Sequence, residues 1–205
     1  MPSFREIHDR TLEVYEKQAG AWSRHRPRAF IEKPWVDRFV AAIPPQSSIL
    51  DVGCGSGEPI AAYLRERGCS VTGVDGSSAM LDIARSRFTD AEWIEMDMRA
   101  LTLANQFHGI VAWDSFFHLD PDEQRSVLQR FCAHLHPGGA LLLTVGHEAG
   151  EVLGTVEGDR VYHSSLDPDE YRQILSSAGF SDIEIKLQDE ECGSHTILLA
   201  SRLKL

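Results

Sequence analysis

The feature that most limits what this chain can become is a regular alternation. Short apolar runs of strand length are separated by segments of helix length. "SSILDVG" is followed by "EPIAAYLRERG", then "CSVTGVD", "SSAMLDIARSRF" and "AEWIEMD". Further on, "FHGIVAWD" precedes "DPDEQRSVLQRFCAHL", which precedes "ALLLTVG". Strands apolar on both sides, with helices between them, predict a parallel sheet covered on both faces. Ligands of such sheets lie beyond the carboxyl ends of the strands, near the point where strand order reverses. Helix boundaries are marked too. Ser77 or Ser78 can cap one helix, and Asp120 caps another with Pro121 and Glu123 behind it. Gly68 closes the first crossover helix, and "PGG" is expected to stop the helix before the fifth strand.

Residues from about Arg5 to Ala42 read as helical, broken near Pro27. "VLGTVEGDRVYHSS" reads as a hairpin or lid around Glu157-Gly158-Asp159. "DPDEYRQILSSAGF" repeats the Asp-Pro-x-Glu helix start, and "SDIEIKLQDE" and "SHTILLASRL" are two strands joined by a short turn near Gly193, hence antiparallel. The expected organisation is a single domain: a helical cap over residues 1–44, a ligand-binding core over 45–148, and a lid hairpin, helix and terminal strand pair over 149–205.

The net charge of −11, from 20 basic and 31 acidic residues, opposes extended contact with nucleic acid. The densest basic stretch, Arg24, Arg26, Arg28, Lys33 and Arg38, is interrupted by acids and reads as a solvated helix face. Four scattered cysteines without a C-x-x-C pair fit a reducing compartment. There is no apolar signal core at the start and no run of membrane-spanning length. The expectation is a soluble, cytoplasmic protein with no membrane or nucleic-acid partner.

"ILDVGCGSGEP" ends its apolar run in Asp51 and then places glycines at 53, 55 and 57. Those glycines allow close backbone approach to a ligand. A dinucleotide turn needs a further glycine at 58 and a phosphate loop needs a lysine, whereas Glu58 is present. Glu58 is expected in the first turn of the next helix, where it would repel a pyrophosphate. Asp75 ends the second strand, 22 residues after Gly53, placed for ribose hydroxyls. Asp97 and Met98 end the third, where a carboxylate and an adjacent N–H can read an adenine edge. Ribose, adenine, a cationic group and no phosphate describe S-adenosylmethionine.

"LDVGCGSG", Asp75 in "VTGVDGSSAMLDIAR", Asp97-Met98 in "EMDM", "AWDSFFHL" and "LHPGGALLLTV" together resemble the class I S-adenosylmethionine-dependent methyltransferases. The resemblance implies a Rossmann-like α/β sandwich with a seven-stranded sheet of order 3-2-1-4-5-7-6 and an antiparallel seventh strand. It implies S-adenosyl-L-methionine as cofactor and S-adenosyl-L-homocysteine as product. Gly53, Cys54 and Gly55 would lie by the methionine part, Asp75 and Gly76 by the ribose, and Met80, Asp97 and Met98 by the adenine. Asp114 and Ser115 would flank the methionine end. Tyr15 and Trp22, in a segment like the family's N-terminal cap, would close over the cofactor, or else pack between helices. Asp51 is either a ligand contact or a turn-stabilising acceptor, and Cys54 can simply pack behind the turn.

A sulfonium methyl is already activated, so alignment and water exclusion carry most of the task. His118 follows the fourth strand, His147 the fifth, and His195 opens the last. In the family's strand order these three strands are neighbours, so the histidines are candidate acceptor-binding or acid–base groups, with His147 the first choice. Their spacing matches no metal motif. The leading expectation is a small-molecule methyltransferase. A protein or RNA methyltransferase and a non-catalytic S-adenosylmethionine- or nucleoside-binding module are the alternatives.

Overall fold

The computed structural model describes residues 2–26 and 29–202. The expected break at Pro27 lies outside the described residues. On either side of it stand α1 (Phe4–His25) and α2 (Lys33–Ala42). The alternating core follows as β1 (Ser48–Val52), α3 (Ile60–Glu66), β2 (Ser70–Asp75), α4 (Ser78–Arg87), β3 (Glu92–Glu95), β4 (Phe107–Ala112), α5 (Pro121–His134) and β5 (Leu135–Val145). Then come β6 (Gly150–Val156), β7 (Asp159–Ser165), α6 (Pro168–Ser177), β8 (Phe180–Asp189) and β9 (His195–Arg202).

Seven strands form one sheet in the order β3-β2-β1-β4-β5-β9-β8. β1 to β5 pair in parallel, and β9 runs antiparallel to both of its neighbours. With the hairpin counted apart, this is the expected order and the expected reversed strand. β6 and β7 make a separate antiparallel ribbon. Its turn residues, Glu157 at φ 49° and Gly158 at φ 86°, take the left-handed values that match a hairpin's twist.

The apolar runs are explained by two core layers, one on each face of the sheet. Leu141 and Leu143 of β5 join Leu50, Ile110 and Leu198 against Leu128, Phe131 and Leu175. Leu142 faces the other way, with Ile49, Val111 and Ile197, against Phe39, Leu64 and Leu81. Successive strand residues point to opposite faces, so a strand buried on both must be apolar at every position.

The caps fall where the residue types put them. Ser77 Oγ accepts from Met80 N–H at 3.1 Å to start α4. Asp120 and Glu123 form a reciprocal capping box on α5, at 2.8 and 2.9 Å.

Two local expectations are corrected. "PGG" does not separate helix from strand. β5 already begins at Leu135, which pairs with Phe107, and a register shift before Gly109 absorbs the irregular residues. Glu58 is not in a helical turn either, because Pro59 is the N-cap of α3. Its half-exposed carboxylate pairs with Arg87 at 2.9 Å, which offsets the charge that would repel a phosphate.

Candidate active site

The carboxyl ends of β1, β2, β3 and β4 open into one cleft of about 1040 Å³, open solvent at its entrance included. The turn after β1 is pinned to β2, with the N–H groups of Gly53 and Cys54 both donating to the Val74 carbonyl, at 2.7 and 3.1 Å. Gly53 sits at φ 71°, and a Cβ there would lie 2.2 Å from Cβ of Ser115. Only glycine satisfies both the backbone angle and that approach. Ser115, in turn, donates its hydroxyl to the Val52 carbonyl at 2.8 Å.

Asp75 accepts from Gly55 N–H through one carboxylate oxygen and from Ser77 N–H through the other, each at 2.8 Å. Burial nonetheless holds its carboxyl above the usual range. A carboxylate offers about four lone-pair sites, so it can also accept from ligand hydroxyls. Gly76 adjoins it, and the absent side chain leaves room for Leu12 of α1, whose methyl carbons stand 3.0 Å from where a Cβ would be. Met80, Asp97 and Met98 line the same wall. The Asp97 carboxylate is engaged by the Arg99 side chain and by Arg99 N–H at 2.8 Å. Burial raises the Asp97 carboxyl, but these hydrogen bonds win and hold it below its ordinary value.

At the far end Asp114 takes φ 50° and donates its N–H to Thr144 Oγ1 at 2.8 Å. Its carboxylate accepts from His195 Nε2 at 2.9 Å and lies 3.8 Å from the Arg26 guanidinium. His195 Nδ1 donates to the Cys192 carbonyl at 2.6 Å. With both ring nitrogens facing acceptors, the imidazolium is favoured, and the Asp114 bond raises the His195 pKa.

α1 roofs the cleft with Leu12, Tyr15 and Trp22. The Tyr15 ring meets Trp22 edge-on at 5.8 Å, and its hydroxyl lies 2.8 Å from His118 Nε2. His118 Nδ1 lies 2.8 Å from the Tyr162 carbonyl on the hairpin. A carbonyl only accepts, so Nδ1 carries the proton, and Nε2 accepts from the Tyr15 hydroxyl. Desolvation pushes His118 down to about 4, so the ring is neutral at neutral pH. The same desolvation pushes the Tyr15 phenol above its ordinary value.

Of the residues expected at the site, Tyr15, Trp22, Gly53, Cys54, Gly55, Asp75, Gly76, Met80, Asp97, Met98, Asp114, Ser115 and His118 all line this cleft. Asp51 is buried behind the turn, outside the lining residues, with its carboxyl raised by burial to about 7. His195 reaches the cleft only through Asp114. His147 stands apart, half-exposed and 3.5 Å from Glu148. The expectation that three histidines share one cleft wall is therefore corrected to one, His118. It is turned inward by the 3-10 turn Phe116–His118, whereas His147 lies on an exposed loop.

Arg26 and Trp113 also line the cleft, and neither was anticipated. The basic stretch is not wholly a solvated face, because Arg26 folds inward to Glu32 at 3.0 Å. Arg28 lies outside the described residues. One cluster has the composition of a metal site: His8, Asp120 and Glu123 bring ligand atoms within 4.8 Å of one another. Those atoms have other duties, since Glu123 Oε2 already accepts from Asp120 N–H and lies 2.8 Å from His8 Nε2.

A family model for a methyltransferase domain matches residues 49–139, from β1 into β5. Among curated proteins, a carboxy-S-adenosyl-L-methionine synthase from Cronobacter sakazakii is 29% identical over 158 residues, 73% of this chain and 59% of its own length. A dTDP-3-amino-3,6-dideoxy-alpha-D-glucopyranose N,N-dimethyltransferase from Streptomyces fradiae is 34% identical over 140 residues, 60% of this chain and 53% of its own length. The chain thus matches little more than half the length of these relatives. Among solved structures, a sugar N-methyltransferase from Streptoalloteichus sp superposes with a TM-score of 0.73 at 20% identity, covering 90% of this chain and 92% of that one, a likeness of fold. With its strand-end acids and its sheet order, the chain carries a methyltransferase domain from β1 into β5 on the class I S-adenosylmethionine-dependent methyltransferase fold.

Proposed function

We propose that the protein transfers a methyl group from S-adenosyl-L-methionine to a small-molecule acceptor, with its cap, core and hairpin acting as one catalytic unit. The observation that carries this reading is the convergence of Gly53, Gly55, Asp75, Asp97, Met98 and Asp114 on one cleft, beneath Tyr15 and Trp22. The donor set fits that cofactor. Asp75, at the end of β2, and Asp97, just beyond the end of β3, supply carboxylates suited to ribose hydroxyls and an adenine edge. The Arg26 and Arg99 guanidiniums are paired with Glu32 and Asp97, not aimed at a pyrophosphate.

Bound S-adenosyl-L-methionine supplies a methyl group on a sulfonium, which needs no further activation. The chain's own task is to orient the acceptor and exclude water. Tyr15 and His118 are our candidates for that role. Nε2 of His118 is the acceptor atom, and an incoming N–H or O–H can take the place of the Tyr15 hydroxyl on it. A ring with a pKa of about 4 is a poor base before transfer. It suits an acceptor that attacks as a neutral nucleophile and sheds its proton afterwards. Asp114, held by His195, would then flank the methionine end. The acidic surface favours a small acceptor over nucleic acid.

Calorimetric titration tests the cofactor: S-adenosylhomocysteine should bind, and tighter binding of NAD would defeat the reading. Isotopically labelled cofactor with a fractionated cell extract tests the acceptor. Label mainly on protein or RNA would replace a small molecule with a macromolecule. Cofactor binding with no transfer to any fraction would favour a binding module.

A further inference from the structure

Glu16 is an exposed-face acid of α1 with no place in the cleft, yet it is committed to the cofactor wall. Its carboxylate accepts from the Ser77 hydroxyl at 2.6 Å, the Ser78 hydroxyl at 3.0 Å and the Ala79 N–H at 3.1 Å. All three donors belong to the first turn of α4 or its cap, where unpaired N–H groups and the helix dipole favour an anion. Here the anion comes from another helix, 61 residues away in sequence.

The same short segment is held from its other side by Asp75. Ser77 N–H donates to Asp75, Ser77 hydroxyl donates to Glu16, and Asp75 also binds Gly55 N–H. An unbroken polar chain therefore runs from the glycine turn through the ribose-side acid to the roof helix. One turn earlier in α1, Leu12 seats on Gly76. The residue before Glu16 is Tyr15, whose hydroxyl meets His118.

We propose that Glu16 is a positioning residue that couples occupation of the Asp75 subsite to closure of α1, and so sets Tyr15 against His118. This rests on the cofactor reading above. Ligand hydroxyls on Asp75 would stiffen residues 75–79, and that segment is what Glu16 grips. Losing Glu16 frees α1 to lift with Tyr15 and Trp22, while the cleft groups on the sheet side, Asp75 and Asp97 among them, stay in place.

The test uses the full chain and S-adenosylhomocysteine, with Glu16→Ala, Glu16→Gln and unaltered protein side by side. The dissociation rate is measured by stopped flow, and amide exchange in α1 with and without ligand. Glu16→Ala should release the ligand about tenfold or more faster and lose the ligand-induced protection of α1, as three charge-assisted bonds vanish. Glu16→Gln keeps a carbonyl acceptor and should recover part of both effects. A role in helix packing alone would lower the melting temperature and leave both readouts unchanged at a permissive temperature, which would overturn the proposal. If Glu16→Ala fails to fold, Ser78→Ala removes one of the three donors and should shift both readouts in the same direction. Unaltered protein that binds no S-adenosylhomocysteine overturns the cofactor reading and this proposal together, whereas binding with an unchanged dissociation rate in every variant overturns this one alone.

Discussion

Gly53 and His118 carry the sharpest consequences of any single positions. Gly53→Ala forces a left-handed backbone angle on a β-carbon that would also strike Ser115. The turn must move, at a cost of about 1–3 kcal/mol, and both thermal stability and S-adenosylhomocysteine affinity should fall. A variant with unchanged affinity would show that the ligand does not approach this turn. His118 makes a pH prediction with a definite sign. Its folded-state pKa of about 4 lies below an ordinary histidine's, so the unfolded chain binds the proton first as pH falls. Stability should therefore be complete above about pH 6.5 and decline toward pH 4, by at most about 3 kcal/mol. Denaturant melts at pH 7 and pH 4.5 measure this, and His118→Asn, which keeps a donor for the Tyr162 carbonyl, should flatten the difference.

Residue types alone pointed to Asp75 and Asp97, because an acid at the end of an apolar strand has one place to go in a parallel sheet, whereas Asp114 entered only through the family resemblance. Nothing in the types separates His118 from His147, since both follow a strand at close range. The 3-10 turn that swings one ring inward is a product of tertiary packing. Arg26, Trp113 and Glu16 were illegible for the same reason, since their roles depend on where a helix lies across a sheet.

Among the elements, α5 tests the capping rules cleanly. Asp120→Ala removes the side chain that receives Glu123 N–H and should cost about 1 kcal/mol, with no change in cofactor affinity. A loss of affinity would mean that α5 shapes the cleft through Glu123 and Arg99. Element boundaries were legible where a cap or a closing glycine marks them, as at Ser77, Gly68 and Asp167. They were not at "LHPGG", where pairing of Leu135 with Phe107 extends the strand through residues that locally signal a turn. The hairpin was legible as a hairpin or lid, and it lies with Tyr162 on His8 of α1 and His163 facing His118.

For the whole molecule, the two-sided core sets the scale of stability. Leu142 is fully buried, and Leu142→Ala should destabilise by about 2–5 kcal/mol with the cleft untouched. Saturating S-adenosylhomocysteine should stabilise by about 2.7 kcal/mol at a hundred times its dissociation constant. A melting temperature that does not respond to ligand would contradict the proposed cofactor. Among the described residues, no helix is long and apolar enough to cross a membrane.

The reversed strand β9 also has a consequence for how the molecule is made. It is inserted between β5 and β8, so the outer edge of Ala140–Val145 acquires its partner, Thr196–Ser201, only after the hairpin, α6 and β8 have been synthesised. While that stretch is still inside the ribosome, the nascent protein exposes a run of leucines with unpaired backbone groups, an open template for a neighbouring nascent chain. Expression yield should therefore depend on how quickly translation passes residues 146–202, and slow codons placed there should shift product into aggregates without altering a single amino acid.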